Sequence, residues 1–216
     1  MAFGNADPST IADPLFEPHW PGRRALVVVE GGSAAIRDVD LGELPRTAAL
    51  REALVAASAA DEAVLDGYLL PGLLPGVDAP RLPPSSTAGI TTGELLRHIL
   101  VGSFRRGRTR PPDDRPLPVI ALPADGPIAF AAVDLLWLDG EPLVGIPLGE
   151  RKRLLESVVG DAELVRRSDA VRAPAERWHG QWRAHGFVEM AVRAANSRYV
   201  PGGVSEDWTI IPIPRS

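Results

Sequence analysis

Residues 129–140, AFAAVDLLWLDG, are the longest apolar run of the chain, and their branched and aromatic side chains and Asp-Gly ending predict a buried strand. A short return over 141–147 leads into 148–159, where Leu148, Leu154, Leu155 and Val158 fall on one face of a predicted helix. Pro147 suits the helix start, where a missing N–H costs nothing. Upstream, 24–30 (RALVVVE) and 33–39 flank Gly31-Gly32 and predict a hairpin, because a glycine pair supplies the positive φ of a tight turn. Ala49, Leu50, Ala53, Leu54 and Ala57 give 45–60 a helical period, and 62–70 (EAVLDGYLL) predicts the next strand. Further on, 163–167 predicts a short strand, 174–185 a helix closed by Gly186, 187–194 a strand, 196–207 a loop and 208–213 a last strand.

Two stretches lack a period. Pro8, Pro14, Pro18 and Pro21 make 1–23 an extended lead-in, packed through Leu15, Phe16 and Trp20, ahead of one domain over 24–216. Residues 71–118 read as a Pro/Gly/Arg-rich insertion holding one short helix, 93–101, with Thr91 and Thr92 as N-cap candidates. Within it, Arg105 to Arg110 reads as a solvated loop offset by Asp113 and Asp114; just after it, 119–122 reads as an edge strand.

Composition narrows the classes. At 216 residues, 45% hydrophobic and 24% charged, the chain can build one sizeable core and reads as a soluble globular protein. No run approaches the roughly 20 apolar residues of a membrane span, and the N-terminus carries no basic-then-apolar leader, so a cytoplasmic protein without a membrane partner is expected. The absence of cysteine excludes disulfides, thiolate metal sites and a thiol nucleophile. His98, His179 and His185 lack ligand spacing, so no metal site is expected. A net charge of −5 argues against a dedicated nucleic-acid binder. Trp178 and Trp182, one helical turn apart, read as a core-facing stripe, and no G-x-S-x-G hydrolase elbow occurs.

Five segments taken in order resemble the adenylation domain of ATP-dependent DNA ligases, the bacterial end-joining type especially. They are Glu17-Pro-His-Trp-Pro-Gly-Arg-Arg24, Val64-Leu-Asp-Gly-Tyr-Leu69, the central run ending in DLLWLDG with its following helix, Gly186-Phe-Val-Glu-Met-Ala-Val-Arg193, and Asp207-Trp-Thr-Ile-Ile-Pro212. The family forms are E-P-K-x-D-G-x-R, V-L-D-G-E-L, an aromatic before the aspartate of the central motif, E-G-V-V-x-K and D-W-x-K-x-K. The resemblance spans Glu17 to Pro212 and implies an α+β fold: two twisted, mostly antiparallel sheets packed with helices, in the nucleotidyltransferase fold of ligases and capping enzymes, itself related to ATP-grasp. The chain stops just past the last motif, so no C-terminal OB-fold is expected within it.

The same alignment implies that the chemistry is gone. In the family a lysine amine attacks the α-phosphate of ATP, and here that position is His19. Pro21 replaces the acid beside it, Tyr68 the metal-associated glutamate, Val133 the adenine-stacking aromatic, Val188 the fourth motif's glutamate, Arg193 its lysine, and Ile210 and Pro212 the last two lysines. Lys152, the only lysine, falls on the helix after the central strand and reads as a solvated side chain. The residues kept, Gly22, Arg24, Asp66, Gly67 and Asp134, are explicable as turns and strand ends.

The expectation is therefore a catalytically inactive module that binds or scaffolds, connected with DNA repair, with an unknown protein or a second copy as partner and only weak nucleic-acid binding. Its degenerate cleft would comprise His19, Arg24, Asp66, Tyr68, Val133, Val188, Arg193 and Ile210, filled or reshaped by Tyr68, Val133, Val188 and Ile210, with no catalytic group and no cofactor. The alternative is a divergent but active nucleotidyltransferase or DNA ligase domain using His19 or another nucleotide, and only there would ATP and magnesium be needed.

Overall fold

The computed structural model describes residues 1–38, 44, 47–72, 122 and 126–214. Its strands are β1 (Ala2–Phe3), β2 (Pro14–Pro18), β3 (Arg23–Glu30), β4 (Ser33–Asp38), β5 (Glu62–Pro71), β6 (Ile128–Leu138), β7 (Glu141–Pro142), β8 (Val165–Arg167), β9 (Glu189–Ala194), β10 (Val204–Ser205) and β11 (Trp208–Pro212). Three helices, α1 (Ala48–Ala57), α2 (Leu148–Val158) and α3 (Glu176–Ala184), lie among the described residues. The predicted helix at 93–101 and the Arg105 to Arg110 loop lie outside them, as does almost all of the 71–118 insertion.

The architecture is α+β. One sheet runs β4-β3-β5-β6-β7, with β8 added in parallel to β6, and a second runs β11-β9-β2. A two-stranded parallel pair, β1-β10, stands beside the two expected sheets. Gly31 and Gly32 take φ of 55° and 71°, which turns β3 into β4 as the pair predicted. Asp139 and Gly140, at 43° and 91°, do the same between β6 and β7.

Strand β6 explains its own apolar run. Side chains alternate across a strand: Ala129, Ala131 and Val133 enter a core shared with the three-stranded sheet and α3, while Phe130, Ala132 and Leu135 enter one under α1 and α2. Both faces are covered, so no polar alternation is needed. Gly67 of β5 makes this possible, because a Cβ there would stand 2.3 Å from the Ala131 carbonyl oxygen and 2.4 Å from the Phe130 ring.

Two local readings change. Residues 14–18 belong to no lead-in: all five are buried, and they pair with β9 as one edge of the three-stranded sheet, where prolines at both strand ends cost few ladder bonds. On α2 the buried stripe is Leu148, Arg151, Leu155 and Val158, while Leu154 packs at its margin. Spacing of 3, 4 and 3 is a helical stripe, and it carries Arg151 inward with the leucines. Trp178 and Trp182 are buried together, as their spacing implied. No described helix is long and apolar enough to cross a membrane.

Candidate functional site

Strand ends from both large sheets converge beside β1. Glu17 on β2 and His19 just after it, Arg24 on β3, Asp66 and Tyr68 on β5, Val133 on β6, Arg193 on β9 and Trp208 on β11 all face one space, and Phe3 faces it from β1. What remains open there is about 10 Å³, room for a single water.

His19 is boxed in. Its ring stands edge-on to Tyr68 at 5.6 Å and 87°, and to Phe3 at 5.9 Å and 74°. Its Nδ1 meets Glu189 Oε2 at 3.2 Å, and its backbone N–H donates to the Glu189 carbonyl at 3.0 Å. Burial holds the imidazole below its usual pKa, with Glu189 pulling the other way, so the neutral ring dominates at neutral pH. Tyr68 is pushed up to about 12 by burial and stays protonated.

Every cation at this site has an internal acid. Arg24 Nε donates to Asp66 Oδ1 at 2.9 Å, its Nη2 holds Oδ2, and the Tyr199 hydroxyl donates to the same Oδ2 at 2.9 Å. Burial opposes the Arg24 charge, but the Asp66 contact outweighs it and holds the guanidinium above its ordinary pKa. Glu17, whose side chain is 2% exposed, is shared between the Arg193 guanidinium and Lys152, whose Nζ lies 2.6 Å from Oε2. Lys152 also donates to the Ser168 carbonyl at 3.2 Å. Behind them Asp134 receives Arg151 Nε and Nη2 at 2.8 Å each, with both side chains at 0% exposure. Arg193 lies 4.7 Å over the Trp208 ring, an arrangement that suits a guanidinium and an indole.

The solvated reading of Lys152 is thus overturned. Its side chain is 11% exposed, because α2 packs on β6 and aims its aliphatic stem toward β2. Burial draws its ammonium down to about 8, with Asp134 and Asp169 pulling the other way, and the Glu17 carboxylate at 2.6 Å acts in their sense. Asp66 and Asp134 are likewise not turn residues but the acids of buried ion pairs. The helical period could have flagged Arg151, since a buried arginine demands a carboxylate.

Six of the eight expected cleft residues, His19, Arg24, Asp66, Tyr68, Val133 and Arg193, meet at the cavity. Val188 is 74% exposed, one residue before β9 begins, and Ile210 sits half-buried on β11; neither lines it. The wall comes instead from Phe3, Glu17 and Trp208, which residue-by-residue replacement did not suggest. A larger open depression of about 450 Å³ lies elsewhere, between Thr10, Asn196, Arg198, Glu206 and Asp207.

No protein-family model matches this chain. In sequence it is 27% identical over 198 residues to the multifunctional non-homologous end joining DNA repair protein LigD of Mycobacterium tuberculosis and its counterpart in Mycobacterium bovis. That stretch is 89% of this chain and 21% of the relative, so the chain spans about a fifth of the length of the curated proteins it matches. In structure it superposes on the ligase domain of M. tuberculosis LigD with a TM-score of 0.57 and 22% identity, over 96% of this chain and 56% of that one. This is the adenylation-domain fold of ATP-dependent DNA ligases, of the bacterial end-joining type. A mycobacterial DNA ligase D complexed with ATP and MES gives 0.55 at 22% identity, over 96% of this chain and 58% of the other.

The side chains around the cavity do not suit a triphosphate and its magnesium as they are arranged. Arg24, Arg193 and Lys152 already face Asp66 and Glu17, and about 10 Å³ is open. Among the described residues no three His, Asp or Glu side chains stand close enough to hold a metal ion.

Proposed function

We propose that this chain is a catalytically inactive DNA ligase-like adenylation domain, now a cytoplasmic binding or structural module connected with DNA repair. Its partner is a protein or a second copy of the chain. A net charge of −5 makes unaided nucleic-acid binding weak. The connection with repair rests on the likeness to LigD, which is named a DNA repair protein.

One observation carries the inactivity: where the family places its nucleophile, a boxed-in imidazole faces about 10 Å³, and the nearby cations are held by Asp66 and Glu17. A phosphate entering there would have to displace an internal carboxylate and would meet no free charge. The test is incubation with α-labelled ATP and Mg²⁺, followed by denaturing electrophoresis. No labelled band is expected. A labelled band that disappears in His19→Ala would show instead that the imidazole takes the nucleotide, which is the divergent-enzyme reading.

A further inference from the structure

Strand register lines up an apolar stripe on the sheet face opposite α1 and α2. Val28 of β3 lies beside Ala35 of β4 and Val64 of β5, Val64 beside Trp137 of β6, and Trp137 beside Pro142 of β7. Alternate residues of the same strands, Val27, Ile36 and Leu65 among them, point the other way into the core under those helices. The first four stripe residues are half-buried and Pro142 is exposed. Val64 touches the margin of one buried core, while Ala35, Val28, Trp137 and Pro142 pack against none of the cores formed by the described residues. A solvated face of an antiparallel sheet turns polar residues outward, so an unbroken row of five apolar ones marks a face that is covered.

The two flanks of the stripe carry opposite charge. The next outward positions are Ser33, Glu30 and Glu62 on one side, and Arg37 and Leu26 on the other. Such a surface complements its own image. A two-fold axis laid along the stripe sets each apolar residue on its counterpart, and it brings Arg37 over the partner's Ser33 and beside the partner's Glu30. An axis laid along the strands would instead set acidic flank on acidic flank, where like charges repel.

We propose that this chain forms a two-fold dimer by packing these sheet faces together, with Val64 at the middle of the contact. Five strands about 4.8 Å apart and three rows of side chains about 7 Å apart cover roughly 400 Å² on each copy. The total of about 800 Å² falls below the roughly 1,200 Å² of a standard interface, so the dimer exchanges readily, with a Kd on the order of 10–100 µM. This deepens the reading of the chain as a binding module by choosing a second copy as its partner, and it rests on that reading.

Sedimentation velocity of the full chain, over roughly 5–500 µM to bracket that Kd, is expected to show monomer passing into dimer. Val28→Lys places a charge in the stripe and should stay monomeric across the range, after circular dichroism and melting establish that it is folded. The absence of cysteine allows the register to be read separately. On β4, Ala35 lies on the axis and Ser33 off it, both on the outward face, so a bismaleimide spanning about 10 Å, the separation of packed sheets, should couple Ala35→Cys chains and spare Ser33→Cys chains. A wild-type chain that stays monomeric throughout, a folded Val28→Lys chain that still dimerises, or coupling of Ser33→Cys in preference to Ala35→Cys overturns the proposal. Transfer of α-label to a chain that dimerises as expected would sink the inactive reading and leave the interface standing, so the two fail separately.

Discussion

Replacing Glu17 with glutamine tests whether the old phosphate end of the cleft is neutralised from within. The substitution keeps size but removes the charge that Arg193 and Lys152 share and turns one acceptor oxygen into an N–H donor, on a side chain only 2% exposed. Removing one partner of a buried ion pair costs about 3–5 kcal/mol, because the survivor is left uncompensated in a medium that solvates it poorly. Here two cations are left, each buried against β2 and β9, so the upper part of that range applies. In a chain of this size each kcal/mol moves the melting temperature by about 2–4 °C, so Glu17→Gln should melt roughly 10–20 °C below wild type. Calorimetric melting at neutral pH reads the effect. A variant that melts within about 2 °C of wild type would refute the account of Glu17 as the acid that holds these cations.

Two further outcomes follow from the same buried charges. Arg151→Met strands Asp134 at 0% exposure and should cost about 3–5 kcal/mol in urea unfolding, whereas the double change with Asp134→Leu should recover most of it; a double variant no more stable than the single would contradict the pairing. Lys152 titrates at about 8 in the folded chain against 10.5 unfolded, so between those values the unfolded chain binds the extra proton and stability rises with pH. The cost of burying the ammonium is fully present below about 8 and is relieved by 10.5, a gain of about 3 kcal/mol that Lys152→Met should abolish. Equal pH slopes for Lys152→Met and wild type in denaturant titrations would show that another group is responsible.

The order of elements was legible along the chain. The Gly31-Gly32 pair marked the β3 to β4 hairpin, the apolar run at 129–140 marked a buried strand, and motif order pointed to the ligase fold. The replacement of the expected lysine by His19 was equally plain, because it needs only a residue at a known place in a motif.

Tertiary structure decided what surrounds that position. Glu17 meets Lys152 across 135 residues of chain, and Phe3 meets Trp208 from near the opposite terminus. No local period encodes such contacts. Whether Lys152 is a surface cation or a buried one depends on how α2 lies on β6, and whether the cleft is open depends on where β1 docks. Periodicity tells which face of an element turns inward, but only the packing of distant elements tells which charge or ring it finds there.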